Sequence, residues 1–398
     1  MRTQTFSKGY KYFPIGIAPQ YIDRGKGAYI WDVDNNRFTD YIMSLCPITL
    51  GYHYPAVDRA IKKQLDKGII FSLSSPLEIE LSELLRDIIP CAEMTRFFKT
   101  GSEATQAAIR LARAYTNRED IAYCGYHGWH SWYACTTDRD KGTLPIEKQL
   151  MHKFEYNNIE SLEKILDEFA CAAIIMEPIV SHMPTNNFLQ KVRELATKHK
   201  AVLIFDEIVT GFRIDLHGAQ GYFGVTPDLA TFGKGMANGM PLNCIVGKKE
   251  LMNEFENVMV SGTFCGELLS IAASIATIHE MIKRNVVLHF RDIGMNLRSG
   301  LMTLGLNVNG YPARFIYDLP DNSPEVRTLF MQEMIERGQL IHPTLALNLC
   351  YSHTMNDINR FLDSFNESLL NVRRAITVGN TKELLYGDAI EMAFRRTD

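Results

Sequence analysis

The chain has 398 residues, 46% hydrophobic and 22% charged, with a net charge of −4 and a pI near 6.3. Those values fit a globular protein of two or three units, or one large α/β unit with an appendage. They give no electrostatic reason to expect nucleic acid or an anionic membrane as partner. No run of about 18 apolar residues occurs that could span a bilayer. The opening MRTQTFSKGYKYFP lacks the apolar core of a secretory signal. Eight cysteines are scattered without a Cys-x-x-Cys pair, so a reduced, cytoplasmic protein is expected.

Residues 27–41, GAYIWDVDNNRFTDY, alternate apolar and polar on both sides of Asp34-Asn35-Asn36, which predicts a hairpin with its turn there. Helical spacing begins near residue 55 with AVDRAIKKQLDKG and returns in LEIELSELLRDII. A repeated pattern follows, in which a short apolar run leads into a turn or helix. MTRFF (94–98) precedes a helix over 102–116, and IAYC (121–124) precedes an aromatic loop. AAIIM (172–176) precedes FLQKVRELATKH, and AVLIF (201–205) precedes Asp206 and Glu207. Five-residue runs apolar on both faces are what parallel strands covered by helices require. The expectation is an α/β fold with its working site at the carboxyl ends of the strands.

Near residue 285 the character changes. A helical stretch over roughly 265–304 leads into NVNGYPARFIYDLP, helices over 323–337 and 355–377, and a last helix in the final 20 or so residues. This predicts a large, mostly parallel-sheet domain over 51–285. A smaller α+β domain would be drawn from both termini, 1–50 and 286–398.

Five segments carry chemistry. In FKTGSEATQAAIRLAR, Thr100 and Glu103 have capping-box spacing, so a helix begins at Gly101 and Ser102. Its free N–H groups make a phosphate site. Asp206 directly follows an apolar strand, where a carboxylate is expensive without a partner such as a protonated ring nitrogen. Ile208 and Val209 offer an apolar surface to a flat ring. Lys234 sits between Gly233 and Gly235 in ATFGKGMANGMPLN, where a bend can aim its amine at an aldehyde. The loop CGYHGWHSW places Tyr126, His127, Trp129, His130 and Trp132 together as stacking surfaces. No third ligand accompanies its two histidines, so no metal is expected. Ser261, Gly262 and Thr263 are expected to open a second helix with an anion site. An anion site, a carboxylate, an aromatic plate and a turn lysine together match one cofactor, pyridoxal phosphate.

The chain resembles the class III (fold type I) pyridoxal-phosphate-dependent aminotransferases, and most closely their glutamate-1-semialdehyde aminomutase-like branch. The segments that carry the resemblance are GAYIWDVDNNRFTDYI, FKTGSEATQAAIRLARAYTNRED, GYHGWH, IIMEPI, LIFDEIVTGFR, GAQGYFGVTPDLATFGKGMANGMPL, GTFCGELLS and RGQLIHPTLALNLCYSHTMNDI. The resemblance implies that Lys234 joins the cofactor aldehyde through a carbon–nitrogen bond and later shuttles a proton. It implies that Asp206 pairs with the pyridinium, that Tyr126 and Ile208 flank the ring, and that His127 belongs to the cofactor site. Gly101 and Ser102 would bind the phosphate, Thr263 would reach the phosphate of a neighbouring subunit, and a homodimer would share its active sites.

Three departures bear on substrate. The aminomutase Ser-Pro-Val-Arg stretch, whose arginine grips a carboxylate, has no match in KYFPIGIAPQYIDR. Leu45 stands where the family usually has tryptophan, and Ser181-His182 where it has Gly-Asn, which makes Leu45 and His182 candidate substrate contacts. These losses point from glutamate-1-semialdehyde toward amino transfer to a polar carbonyl acceptor, such as a sugar or nucleotide-linked sugar. An intramolecular aminomutase is the alternative. A catalytically silent relative is disfavoured by the presence of both Lys234 and Asp206.

Overall fold

A computed structural model describes residues 3–391. The chain divides into two units, one built from residues up to Tyr54 and from Leu288 onward, the other Pro55–Val287. The first unit opens with three antiparallel strands, β1 (Ile22–Lys26), β2 (Tyr29–Asp32) and β3 (Arg37–Asp40). The turn between β2 and β3 falls at the expected residues. The Asp32 carboxylate accepts the N–H groups of Asp34 (3.0 Å) and Asn36 (2.8 Å), and Asn35 takes the left-handed conformation at φ 65°.

The second unit holds a seven-stranded sheet. Its strands are β4 (Met94–Phe98), β5 (Ile121–Cys124), β6 (Met151–Lys153), β7 (Ala173–Met176), β8 (Val202–Asp206), β9 (Leu229–Phe232) and β10 (Asn243–Gly247). They lie in the order β4-β10-β9-β8-β7-β5-β6. Strands β6, β5, β7, β8 and β9 are parallel. β10 runs against both β9 and β4, so β4 points the same way as β9. Strands β5, β7, β8, β9 and β10 are buried along their whole length, as apolar runs covered on both faces must be. Each buried Val, Leu, Ile or Phe contributes about 1.5–3 kcal/mol. This is the α/β fold expected from the sequence.

The helix Gly101–Thr116 packs an alanine-rich face, including Ala104, Ala108 and Ala112, into the core beneath the sheet. Small side chains allow close approach, and the capping box read from the sequence fixes where the helix starts. The Thr100 hydroxyl accepts the Glu103 N–H (3.2 Å), and the Glu103 carboxylate accepts the Thr100 N–H (2.7 Å).

Two expectations for residues 261–304 are corrected. The stretch is two helices, Leu268–Lys283 and Val286–Thr303, broken where Asn285 turns left-handed at φ 51°. The first does not open at Ser261, Gly262 and Thr263. It opens at Leu268, because the Glu267 carboxylate accepts the Leu269 (2.6 Å) and Ser270 (3.2 Å) N–H groups. That carboxylate, also bound by Lys99 Nζ at 2.8 Å, occupies the helix end where an anion was expected.

The rest of the first unit contains β11 (Val308–Tyr311), β12 (Arg314–Tyr317), β13 (Gln339–Leu340) and β14 (Ala346–Asn348). β11, β12 and β14 form an antiparallel sheet, whereas β13 joins β3 in parallel. The expected helices appear as Pro324–Glu336, with Ser323 as N-cap and proline in the first turn, and Met355–Val378. The expected final helix is corrected. Gly379, at φ 78°, ends the preceding helix, and only a 3-10 turn, Thr381–Leu384, follows before Glu391. Residues 392–398 of that expectation lie outside the described residues.

Candidate active site

The carboxyl edge of the seven-stranded sheet gathers most of the residues singled out from the sequence. Asp206 ends β8 and is 3% exposed. Burying a carboxylate is costly unless every lone pair is answered. Asp206 Oδ2 lies 2.8 Å from His127 Nδ1, and Oδ1 accepts the Ile208 N–H and the Thr231 hydroxyl, both at 3.2 Å. His127 Nε2 faces the Cys124 carbonyl at 3.1 Å. Both ring nitrogens therefore meet protein oxygens, which fixes the orientation of the imidazole. The His127 ring stacks on Trp132 at 6.1 Å, and its backbone carbonyl accepts the Thr105 hydroxyl at 2.8 Å.

The start of the 101–116 helix is built to stay open. The N–H groups of Glu103 and Ala104 bond Thr100, whereas no protein acceptor takes those of Gly101 and Ser102 among the described residues. Side chains larger than hydrogen would fill this cradle. A Cβ at Gly101 would fall 2.6 Å from Ile208 Cδ1, and one at Gly128, already at φ 102°, would fall 2.3 Å from Ser102 Oγ. The Ser102 hydroxyl is fixed by the Trp129 N–H at 3.2 Å. Two free N–H groups, a hydroxyl and the positive end of a 16-residue helix form a donor set suited to a phosphate.

Lys234 follows β9 on the same edge, three residues after Thr231. Its φ of 41° is left-handed, which costs a residue with a Cβ about 1–2 kcal/mol. Such strain persists only where surroundings enforce it. Asn243 packs against Gly233, where a Cβ would fall 1.7 Å from Asn243 Oδ1, and the Ser274 hydroxyl bonds the Met236 carbonyl at 3.1 Å. Lys234 is half-buried, and no carboxylate pairs with it among the described residues.

Tyr126 is 55% exposed, with its edge against Tyr133 at 5.6 Å and its N–H donated to Glu177 at 2.7 Å. Partial burial, with the nearby charges of Asp206 and Glu177, raises its phenol above the ordinary tyrosine range. An aromatic ring beside a buried carboxylate offers a surface on which a flat ring can stack. Ile208 is half-buried, with its side chain over Gly101. The buried Glu207 serves structure. Its carboxyl is pushed up by burial and held by the Ala219 and Gln220 N–H groups and the Thr210 hydroxyl.

The structure thus brings together Gly101, Ser102, Tyr126, His127, Asp206, Ile208 and Lys234, and these residues fit pyridoxal phosphate. They offer a phosphate cradle, a buried carboxylate for a ring nitrogen, a partly exposed aromatic plate and a strained lysine. Three further candidates lie in loops and turns. Thr263 is exposed in the loop before Leu268, and His182 is exposed with Ser181 Oγ 2.9 Å from its Nδ1. Leu45 belongs to the first unit, in a left-handed turn over residues 43–46 with φ from 49° to 81°.

Three contributors were not singled out from the sequence: Thr231, Asn243 and Glu177. Glu177 had a legible signal, because it follows the apolar run AAIIM just as Asp206 follows AVLIF. Thr231 pairs in register with Asp206 on the neighbouring strand, which only the sheet order reveals.

The family model for aminotransferase class-III matches residues 16–310. The chain is similar to a 3-aminobutyryl-CoA aminotransferase of Cloacimonas acidaminovorans (strain Evry), 38% identical over 388 residues that cover 92% of each chain. It is also similar to a glutamate-1-semialdehyde 2,1-aminomutase of Alkaliphilus oremlandii (strain OhILAs), 33% identical over 396 residues, covering 90% of this chain and 93% of that one. Among solved structures it matches an omega-transaminase from Sphaerobacter thermophilus with a TM-score of 0.84 at 25% identity, over 92% of this chain and 94% of that one.

Proposed function

This chain belongs to the class-III aminotransferase family, whose cofactor is pyridoxal phosphate, and on that premise we propose that it moves an amino group between two molecules, from an amino donor to a polar carbonyl acceptor. The observation that carries this reading is the strained Lys234 on the sheet edge that also holds the Asp206–His127 pair and the open N-terminus of the 101–116 helix. Bound there, the cofactor supplies an electron sink for charge that develops at the substrate carbon.

This chain's residues divide the remaining work. The Gly101 and Ser102 N–H groups, with the Ser102 hydroxyl, hold the phosphate. Asp206, oriented by His127 and Thr231, keeps a proton on the ring nitrogen. Tyr126 and Ile208 cover the two ring faces and keep water away. Lys234 Nζ would hold the cofactor at its aldehyde carbon and would be the base that carries a proton at the substrate carbon. Thr263, exposed in this chain, completes the phosphate site of a second copy in a homodimer. His182 and Leu45 are the candidate substrate contacts. No disulfide joins the eight cysteines, which supports a reducing, cytoplasmic setting.

Two acceptor classes follow. The missing arginine stretch and the changes at residues 45 and 181–182 favour a sugar or nucleotide-linked sugar. The name of the relative at 38% identity favours a 3-oxoacyl compound. An intramolecular aminomutase is the second reading, supported by the relative at 33% identity.

Half-reaction spectroscopy tests the choice. A mobile amino donor should bleach the cofactor band of the holoenzyme, and a carbonyl acceptor should restore it. If no separate amine bleaches the band while an amino aldehyde is isomerised without any donor, transfer is wrong and the mutase reading stands.

A further inference from the structure

Tyr126 lies beyond the end of β5, on chain with no strand or helix to hold it. A plate so placed covers a flat ring only if its backbone is fixed, because a tilt of the main chain carries the aromatic face out of stacking distance. The peptide group that joins Gly125 to Tyr126 is gripped at both ends. Its carbonyl accepts the Tyr133 hydroxyl at 3.0 Å, and its N–H donates to Glu177 Oε1 at 2.7 Å. A peptide group is planar, so a hydrogen bond at each end sets the orientation of the whole plane. Tyr133 is buried, and its ring meets Tyr126 edge-on at 5.6 Å and His127 at 5.5 Å. The bond to Glu177 has the length expected of an N–H donated to a charged acceptor.

Glu177 is itself anchored where such a grip needs it. It directly follows β7, and its own N–H donates to the Cys124 carbonyl at 3.2 Å, which extends the pairing of β7 with β5. Its side chain lies over Gly125, where a Cβ would fall 3.0 Å from Glu177 Oε1. Gly125 has φ 105°, so a glycine there serves both the turn and the approach of the carboxylate. On the neighbouring strand β8, Phe205 stands opposite Met176, so Glu177 and Asp206 are the next residues along two adjacent strands. Asp206 orients the His127 ring, and Glu177 holds the main chain of Tyr126, one residue earlier.

We propose that Glu177 is a positioning residue, whose carboxylate orients the Tyr126 plate by acting through the Gly125–Tyr126 peptide. The inference rests on the reading of Tyr126 as the cover of the cofactor ring.

Calorimetric titration of the cofactor-free, full-length protein with pyridoxamine 5′-phosphate tests it. That molecule carries the ring and the phosphate but no aldehyde for Lys234, so its affinity reports the surroundings of the ring. Glu177→Ala should weaken it about tenfold, as expected for the loss of one hydrogen bond to a charged group. Glu177→Gln keeps an acceptor oxygen and should stay within about threefold of wild type. Inorganic phosphate, which needs only the helix N-terminus, should bind both variants as it binds the wild-type protein. In a Tyr126→Ala background, Glu177→Ala should add less than about a twofold loss, because the plate it orients is gone. The proposal is overturned by unchanged pyridoxamine 5′-phosphate affinity in Glu177→Ala, or by a loss as large in Glu177→Gln. It is equally overturned by a full loss that persists in the Tyr126→Ala background, or by a matching loss of inorganic phosphate. If Tyr126→Ala alone leaves the affinity unchanged, the reading of Tyr126 as ring cover fails and takes this inference with it. If Tyr126→Ala weakens binding and Glu177→Ala does not, only this inference fails.

Discussion

The sheet edge of the second unit and the turn over residues 43–46 of the first present their candidate contacts in different ways. On the sheet edge three of the site residues stand at the ends of regular elements. Asp206 closes β8, Lys234 follows β9, and Gly101 opens a helix whose cap is complete. In the first unit the candidate substrate contact Leu45 sits instead in a turn of four consecutive left-handed residues, held by the Asp40 carboxylate at the end of β3. Regular elements fix atoms closely and serve the chemistry a family shares. Irregular ones can be rebuilt without disturbing a core, which suits the part that selects a ligand.

Substitutions can break or sharpen that contrast. The largest effect is expected at Lys234. Lys234→Ala should lower turnover by at least about 10³-fold in a steady-state assay, while cofactor remains weakly bound through the helix N-terminus and Asp206. Near-normal turnover would show that the sheet edge is not the chemical centre. Asp206→Asn comes next, with a loss of about 10²-fold or more in kcat, because the replacement removes the negative charge opposite the ring nitrogen and leaves His127 without its anion.

A smaller, pH-dependent effect is expected in the first unit. Burial lowers His342 and His353 from the usual 6.5 to about 4. Each Nδ1 accepts a backbone N–H, from Thr344 at 3.2 Å and Cys350 at 2.9 Å, so the folded state favours the neutral ring. Unfolded, the same rings take up a proton near their ordinary value. The stability they contribute is therefore complete above about pH 6.5 and lost as pH falls toward about 4. The loss should reach a few kcal/mol in total at the acid end. Thermal unfolding between about pH 7 and pH 5 should show a falling midpoint, flattened in the double variant His342→Gln/His353→Gln. A midpoint that falls equally in that variant would place the acid-sensitive groups elsewhere.

The smallest effect is expected from Thr263→Ala. The hydroxyl is exposed in this chain, so its loss should leave the thermal stability of the apoprotein unchanged. Cofactor dissociation should accelerate by about tenfold or less, the worth of one hydrogen bond to a phosphate. An unchanged dissociation rate would remove Thr263 from the shared site.

What could be read from the sequence follows the same division. The apolar runs IAYC, AAIIM and AVLIF became buried strands because four or five apolar residues between turns bury well only between layers of helices, whereas MTRFF, with Thr95 and Arg96, became an edge strand buried only at its end. Thr100 with Glu103 fixed a helix start because capping is local chemistry. The pairing of His127 with Asp206 joins residues 79 apart, and no spacing rule reaches that far. The helix expected at Ser261, Gly262 and Thr263 failed because Glu267, further along the chain, makes the better cap. The last helix failed because the tail beyond Gly379 finds its hydrogen bonds on Thr328, Gln332 and Glu336 instead of on itself.

Borohydride reduction of the holoenzyme followed by peptide mass mapping tests the central claim most directly. The expected outcome is a single reduced pyridoxyl adduct on the peptide containing Lys234. An adduct on another lysine, or none in protein that carries cofactor, would contradict the account of the site.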